Sequence, residues 1–371
     1  MSTDERTYAG SGVGYADLDA FKRDAMRMAA MTREYMKSVG FVEIEWSRGE
    51  SAYLFKHELT SLILAFVIEG LGTKNIVAES QEIRSAHDGR TFYDYIAQCN
   101  VAMIINDLLT VGALPIVLGT HVAVEDGRHL LGNGKDLLMG TCFALNQARC
   151  TYGPGETPGL RDIIVPGTMC LGGASVGIVQ HEDFLMGSHN VRAGQRIFLL
   201  ASTGIHANGL TLARKIAKSL PDGYLTHVPN GGMLGDLLLT PTAIYAEFIR
   251  RCQERHAKLA YGVNITGHGW RKLMRAPQPL TYVIERAPKP QPIFDFLMKR
   301  GPVSLREMYA TFNMGAGFAV YVDPEHVRAV SDVASSLGMT WYLCGHIEEG
   351  DRKVVIKEHD ITFDAAELDL R

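Results

Sequence analysis

Four glycine-rich clusters set the terms on which this chain can fold: Glu69-Gly-Leu-Gly-Thr-Lys74, Tyr152-Gly-Pro-Gly-Glu-Thr-Pro-Gly159, Ser202-Thr-Gly-Ile-His-Ala-Asn-Gly209 and Ile265-Thr-Gly-His-Gly-Trp270. Glycine lets a backbone turn sharply and bring its N–H groups up to an anion such as a phosphate. The 38 glycines among 371 residues exceed average usage, and many of them gather in these four places. Each cluster also holds a Thr, Lys, Glu, His or Asn side chain able to touch a ligand. One such loop reads as a tight turn; four together shift the reading towards a ligand site.

Between the clusters the apolar pattern alternates between helical and strand periods. Leu18, Phe21, Ala25, Met28, Tyr35 and Val39 share one helical face, and Gly40 stands where a C-cap glycine belongs, which predicts one helix up to that glycine. Further helices are expected over 92–111, 135–149, 209–219, 240–255, 290–299 and 324–337, and strands over 41–46, 52–57, 62–68, 115–124, 172–179, 196–201, 280–285, 316–322 and 339–347. The polar stretch Gly187-Ser-His-Asn-Val-Arg-Ala-Gly194 suggests a boundary, giving domains 1–187 and 188–371. Both halves mix element types without a regular βαβ period, so the expected class is α/β or α+β in two domains.

Charge and cysteine usage exclude several functions. With 37 basic and 41 acidic side chains, a net charge of −4 and no long run of either sign, the chain lacks the footprint that nucleic-acid backbones demand. The polar start Met1-Ser-Thr-Asp-Glu-Arg-Thr7 has no apolar segment behind it, and no apolar run is long enough to span a bilayer, so neither a secretory signal nor a membrane span is expected. The six cysteines form no C-x-x-C pair, which argues for a reduced, cytoplasmic protein.

The chemistry-bearing residues sit at the loops. Gly70-Leu-Gly-Thr-Lys74 has the wrong spacing for a Walker A phosphate loop. Asn208-Gly209 immediately precedes the helical run Leu210-Thr-Leu-Ala-Arg-Lys-Ile216, whose N-terminal amides would favour an anion, with His206 beside it. Glu69, Asp107 and Glu156 are carboxylates suited to a hard cation such as magnesium, which binds through one or two carboxylates together with substrate phosphates. A helix-surface acid is the plainer reading of any one of them.

These segments also resemble, in order, the signatures of the aminoimidazole ribonucleotide synthetase superfamily. Asn106-Asp-Leu-Leu-Thr-Val-Gly-Ala-Leu-Pro115 is similar to its Asp-x4-Gly-Ala-x-Pro nucleotide-binding signature, and Glu69–Lys74 to its Asp-Gly-x-Gly-Thr-Lys loop. Gly155-Glu-Thr157 resembles Gly-Gly-Glu-Thr, and Ser202–Gly209 resembles Ser-x-Gly-x-His-Ser-Asn-Gly. Thr240–Tyr245, Ile265–Gly269 and Glu307–Gly317 complete the series. The His-Ala-Asn-Gly and Glu-Met-Tyr-x-Thr-Phe-Asn segments look most like the phosphoribosylformylglycinamidine cyclo-ligase family.

That resemblance implies a two-domain α/β fold. Its N-terminal halves would pair in a homodimer, building a shared β-barrel with helices outside, and its C-terminal half would form an α/β sandwich. It implies ATP and Mg2+ as cofactors and a small ribonucleotide as substrate. Catalytic roles fall on His206, Lys74 and Asp107, with Lys74 offsetting charge on the transferring phosphoryl group and His206 binding substrate or shuttling a proton. ATP and substrate contacts fall on Glu69, Gly70, Gly72, Thr73, Lys74, Asn106, Gly112, Gly155, Glu156, Thr157, Gly204, Asn208, Gly209, Thr266 and Gly267, and the metal on Glu69, Asp107 and Glu156. The chain departs from the family pattern at Glu69 (usually Asp), Cys99 (usually Asp) and Asn264 (usually His), and His268 interrupts the glycines of the Thr-Gly-x-Gly loop. Three readings therefore stand: the cyclo-ligase, another ATP-dependent kinase or synthetase of the superfamily, and a non-catalytic ATP-binding relative with a regulatory or partner role.

Overall fold

The computed structural model describes Thr7, Gly10, Gly12 and residues 15–368. Most of the polar start considered above lies outside the described residues. The first half runs α1 (Tyr15–Ala30), β1 (Phe41–Glu43), β2 (Tyr53–His57), β3 (Ile63–Gly70), α2 (Asn75–Ala78), α3 (Gln81–Ala86), α4 (Tyr93–Leu109), β4 (Leu114–Val124), α5 (Gly134–Ala148), β5 (Thr151–Glu156) and β6 (Met169–Val179). The second half runs β7 (Arg196–Ala201), α6 (Leu210–Lys218), the short pair β8 (His227–Val228) and β9 (Gly232–Met233), α7 (Leu234–Leu239), α8 (Ala246–Glu254), β10 (Tyr261–Asn264) and β11 (Leu280–Ile284). It closes with α9 (Pro292–Arg300), α10 (Leu305–Thr311), β12 (Ala316–Val322), α11 (Val327–Ser336), β13 (Trp341–Glu349), β14 (Lys353–Ile356) and β15 (Ile361–Asp364).

Two sheets result. The first is six-stranded in the order β1-β2-β3-β6-β4-β5, and the second is seven-stranded in the order β10-β12-β7-β13-β11-β14-β15. Pairing is antiparallel except for β4 with β5 and β11 with β14. Within one chain the first sheet is open, with β1 and β5 as its edges, so a single copy forms no barrel.

The faces follow from the side-chain period of two. On β3, Ile63, Ala65 and Val67 are buried while Phe66 and Ile68 face outwards. On β7, Ile197 and Leu199 enter one core and Phe198 and Leu200 another; β12 divides likewise, Ala319 and Tyr321 from Phe318, Val320 and Val322. That two-sided burial explains why β7 and β12 read as continuous apolar runs rather than alternating ones. Helix α4 lies between the halves with nearly all its residues buried, so it shows no amphipathic stripe.

Several sequence expectations change: the helix expected over 240–255 begins only at Ala246, and the strand expected over 41–46 ends at Glu43. The long first helix is broken: α1 ends at Ala30, a separate 3-10 turn covers Arg33–Val39, and Gly40 caps that turn at φ +78°. At the break, the Thr32 hydroxyl donates to the Ala29 carbonyl at 2.9 Å, a local bond that competes with helix continuation. The Tyr152–Gly159 cluster is largely the edge strand β5, a position where Pro154 is tolerated because one side of the strand needs no ladder partner. Strands β10, β14 and β15 were not legible in the sequence. Among the described residues no helix is long and apolar enough to cross a membrane, and all six cysteines are free.

Candidate nucleotide cleft

A cleft of about 660 Å³ opens where the two halves meet. From the first half come Glu69 and Gly70 at the end of β3, Gly72 and Thr73 of the loop that follows, and Asp107 from α4. The second half supplies Asn208, Leu210 and Thr211 at the start of α6, Thr266, Gly267 and His268 after β10, and Lys272 and Arg275 beyond them. Helix α1 lays Phe21, Lys22, Ala25 and Met26 against the same space. The positive φ of Gly72 (+78°) and of Gly209 (+74°), the residue capping α6, shows why glycine stands at these bends.

Asp107 is buried at 4% exposure, and its Oδ1 accepts a hydrogen bond from Asn264 Nδ2 at 2.7 Å. The plain reading of it as a surface acid is thereby overturned. Glu69 lies beside it: burial and then the neighbouring Asp107 charge push the Glu69 carboxyl up to about 7. Lys272 reaches in from the far side, donating to Thr266 Oγ1 and to the Asn264 carbonyl at 3.5 Å. Two crowded carboxylates in one cleft fit a hard divalent cation, which two carboxylates plus ligand phosphates would complete. A set of three is not assembled: among the described residues no group of three or more His, Cys, Asp or Glu gathers to hold a metal.

Glu156 and Gly155 occupy a second, shallower groove across the outer face of the first sheet, with Thr120, His121, Gly172 and Gly173. Glu69 and Gly70 border both spaces. Glu156 therefore does not join Glu69 and Asp107 in one cleft, because β5 is an edge strand separated from β3 by β4 and β6. Thr157 is exposed just beyond the end of β5 and lines neither space.

Two expected catalytic residues point away from the cleft. Lys74 is completely buried, its ammonium donating to the carbonyls of His206 at 2.8 Å and Thr240 at 2.6 Å. Burial presses its proton affinity down while the adjacent Cys99 works against that shift. It ties loops together, and it does not meet a phosphoryl group in this conformation. His206 is also buried, at φ +59°, and its Nε2 accepts the Thr203 N–H at 3.2 Å. Burial, reinforced by the Lys74 charge, takes its pKa down to about 3, so a proton shuttle working near neutral pH is not supported.

Other motif residues serve the scaffold. The Asn106 side chain donates to the Ala243 carbonyl at 2.8 Å and accepts the Tyr245 N–H at 3.1 Å, so it clamps the Thr240–Tyr245 segment rather than reaching ligand. The Cys99 sulfur accepts the Thr242 N–H at 3.3 Å in the same clamp. Gly112 turns the chain after α4 at φ +80°, where a Cβ would stand 1.9 Å from the Phe184 oxygen. Gly204 presents its carbonyl to Asn313 Nδ2 at 2.8 Å, and the Phe312 ring packs on Gly209. His268 turns at φ +67° and approaches Asp19 of α1 at 3.5 Å.

Sequence reasoning missed Lys272, Lys22 and Arg275. The one available signal was the basic pair Arg271-Lys272 inside the apolar run from Trp270 to Met274, since a lysine in such company needs a partner if it is buried.

Comparison with known proteins agrees with this architecture. Residues 192–358 match the family described as AIR synthase related protein, C-terminal domain. A phosphoribosylformylglycinamidine cyclo-ligase of Carboxydothermus hydrogenoformans is 34% identical over 80% of this chain and 84% of its own length. Another, of Brevibacillus brevis, is 31% identical over 94% of this chain and 97% of its own. Among solved structures, the HypE–HypF complex superposes with a TM-score of 0.60 at 13% identity, covering 86% of this chain and 94% of the matched one. AaThiL complexed with AMPPCP and TMP superposes at 0.57 and 13%, covering 84% and 89%. The fold defines a mixed α/β class of two-sheet proteins that these solved structures share. Within it, the chain belongs to the phosphoribosylformylglycinamidine cyclo-ligase family.

Proposed function

We propose that the protein uses ATP to close the imidazole ring of formylglycinamidine ribonucleotide, yielding aminoimidazole ribonucleotide in purine biosynthesis. The observation that carries this reading is the convergence of Glu69, Gly70, Gly72, Thr73, Asp107, Asn208, Thr266 and Gly267 on one cleft from segments up to 198 residues apart in a chain of this family.

The reaction exchanges a poor leaving group for a good one. The formyl amide oxygen attacks the γ-phosphorus of ATP, and ADP departs. An amidine nitrogen of the same substrate then attacks the activated carbon, the C–O bond breaks, phosphate leaves with the former formyl oxygen, and the nitrogen releases a proton. The protein's share is placement and charge neutralisation. The loop Gly70–Thr73 and the start of α6 offer backbone N–H groups to phosphate oxygens, and Asn208 and Thr211 stand at the same rim. Glu69 and Asp107 would hold Mg2+, which supplies positive charge to the phosphates. Asn264 donates to Asp107 Oδ1 and so orients the carboxylate at the edge of the cleft.

The homodimer belongs to this proposal. Leu62, Phe66, Ile68 and Ile116 expose apolar side chains on or beside the outer face of the first sheet. Such a patch on an open sheet suits a second copy of the same chain, and the groove containing Glu156 borders it.

A coupled assay for ADP release, with formylglycinamidine ribonucleotide and thiamine monophosphate offered separately, tests the reading. Turnover with the first alone is expected. Turnover with the second, or nucleotide binding by calorimetry with no turnover on either, would overturn it.

A further inference from the structure

Lys272 is a buried cation in a space whose chemistry is anionic on one side. It is 8% exposed, anchored on Thr266 Oγ1 and the Asn264 carbonyl, and Asn264 in turn holds Asp107. The anchors matter because they fix the ammonium on the same short segment that orients the carboxylate, so the two cannot drift apart independently. Lys272 lines the same cleft as Glu69, Asp107, Lys22 and Arg275; burial presses its proton affinity down, Asp107 and Glu69 work against that shift, and Arg275 and Lys22 reinforce it. The Lys272 side chain is thus held in the space of the carboxylate pair before any ligand arrives.

We infer that Lys272 is a resident counter-cation of the Glu69–Asp107 pair, which keeps free divalent metal out of the empty cleft and makes metal binding depend on the phosphates that come with the nucleotide. The inference rests on the cation reading of Glu69 and Asp107 given above. Its physical basis is that a fixed ammonium repels an incoming divalent ion, while the phosphates of a nucleotide restore the negative charge that the ammonium has offset. Lys272 is in this sense a positioning and gating residue for charge.

The test uses Mn2+ as probe and its electron paramagnetic resonance as readout, with the full chain at constant pH. The wild-type protein is expected to bind Mn2+ weakly alone and more tightly with AMPPCP, and Asp107→Asn should abolish the gain. Lys272→Met and Lys272→Gln are each expected to bind Mn2+ alone at least about tenfold more tightly than wild type, the effect of removing one like charge at intermediate dielectric, and adding Asp107→Asn to either should reverse it. Either folded variant suffices, as judged by its thermal unfolding transition. If wild type with AMPPCP shows Asp107-dependent Mn2+ binding while neither lysine variant tightens binding of Mn2+ alone, the role of Lys272 is overturned and the cation reading stands. If no form of the protein binds Mn2+ in an Asp107-dependent way, the cation reading itself fails and takes this inference with it.

Discussion

The Lys74 ammonium donates to the carbonyl oxygen of His206 at 2.8 Å, joining the loop after β3 to the loop after β7 across 132 residues of sequence. The same ammonium also holds the Thr240 carbonyl, so one buried side chain ties three segments together, two of which border the cleft. A charge placed there orders the backbone around the site without touching ligand.

Lys74→Met is accordingly expected to act through stability. It leaves two buried carbonyls without their charged donor, and a loss of about 2–3 kcal/mol is expected from the usual worth of hydrogen bonds to charged groups. Urea unfolding measures it, and an unchanged midpoint would show that the ammonium does not hold these loops.

Asp107→Asn should leave the fold in place and lower ATP-dependent turnover by roughly 100-fold or more, the scale of removing a preorganised charge at a reacting phosphate. Circular dichroism and ADP release, read together, check both halves. Undiminished turnover would remove Asp107 from the mechanism.

His206→Asn changes the pH dependence of stability. The folded histidine, held down to about 3, refuses a proton that the unfolded chain accepts near 6.5. Between those values the unfolded state binds more protons, so wild-type stability is lost as the pH falls through that window. Asparagine tolerates the left-handed backbone at this position. The variant's melting temperature should fall less steeply than that of wild type between pH 6.5 and 4, and parallel curves would contradict the burial of a neutral imidazole.

Gly112→Ala separates scaffold from ligand contact. A methyl group would meet the Phe184 carbonyl at 1.9 Å on a backbone with φ +80°, so a loss of about 3 kcal/mol is expected from strain and overpacking. Nucleotide affinity of the folded protein, measured by calorimetry below the unfolding transition, should stay within about twofold, since the residue lies outside the cleft.

Ile68→Glu places a carboxylate in the middle of the apolar outer face of the first sheet, where Ile68 is 72% exposed in the single chain. Multi-angle light scattering is expected to show a dimer for wild type and a monomer for the variant, because a paired sheet face would have to bury that charge. A monomeric wild type would refute the dimer.

The sequence alone determined many of the regular segments and several of the turns. Arg196–Ala201 and residues 316–322 appear as strands at the expected bounds, because an apolar run between turn residues is a local property. Local patterning also brought Glu69, Gly70, Gly72, Thr73, Asp107, Asn208, Thr266 and Gly267 forward as ligand candidates, since glycine and carboxylate placement at element ends is written in the chain. Tertiary structure decided which of the candidates face the cleft. Lys74, His206 and Asn106 carry the right chemistry, yet Lys74 and Asn106 turn inwards to carbonyls more than 130 residues away and the His206 ring takes the Thr203 N–H of its own loop. Lys272 looks like an ordinary basic residue until the fold sets it beside Asp107. Burial and electrostatic partnership are relations between distant parts of the chain, and a side chain's role follows from the partner the fold gives it.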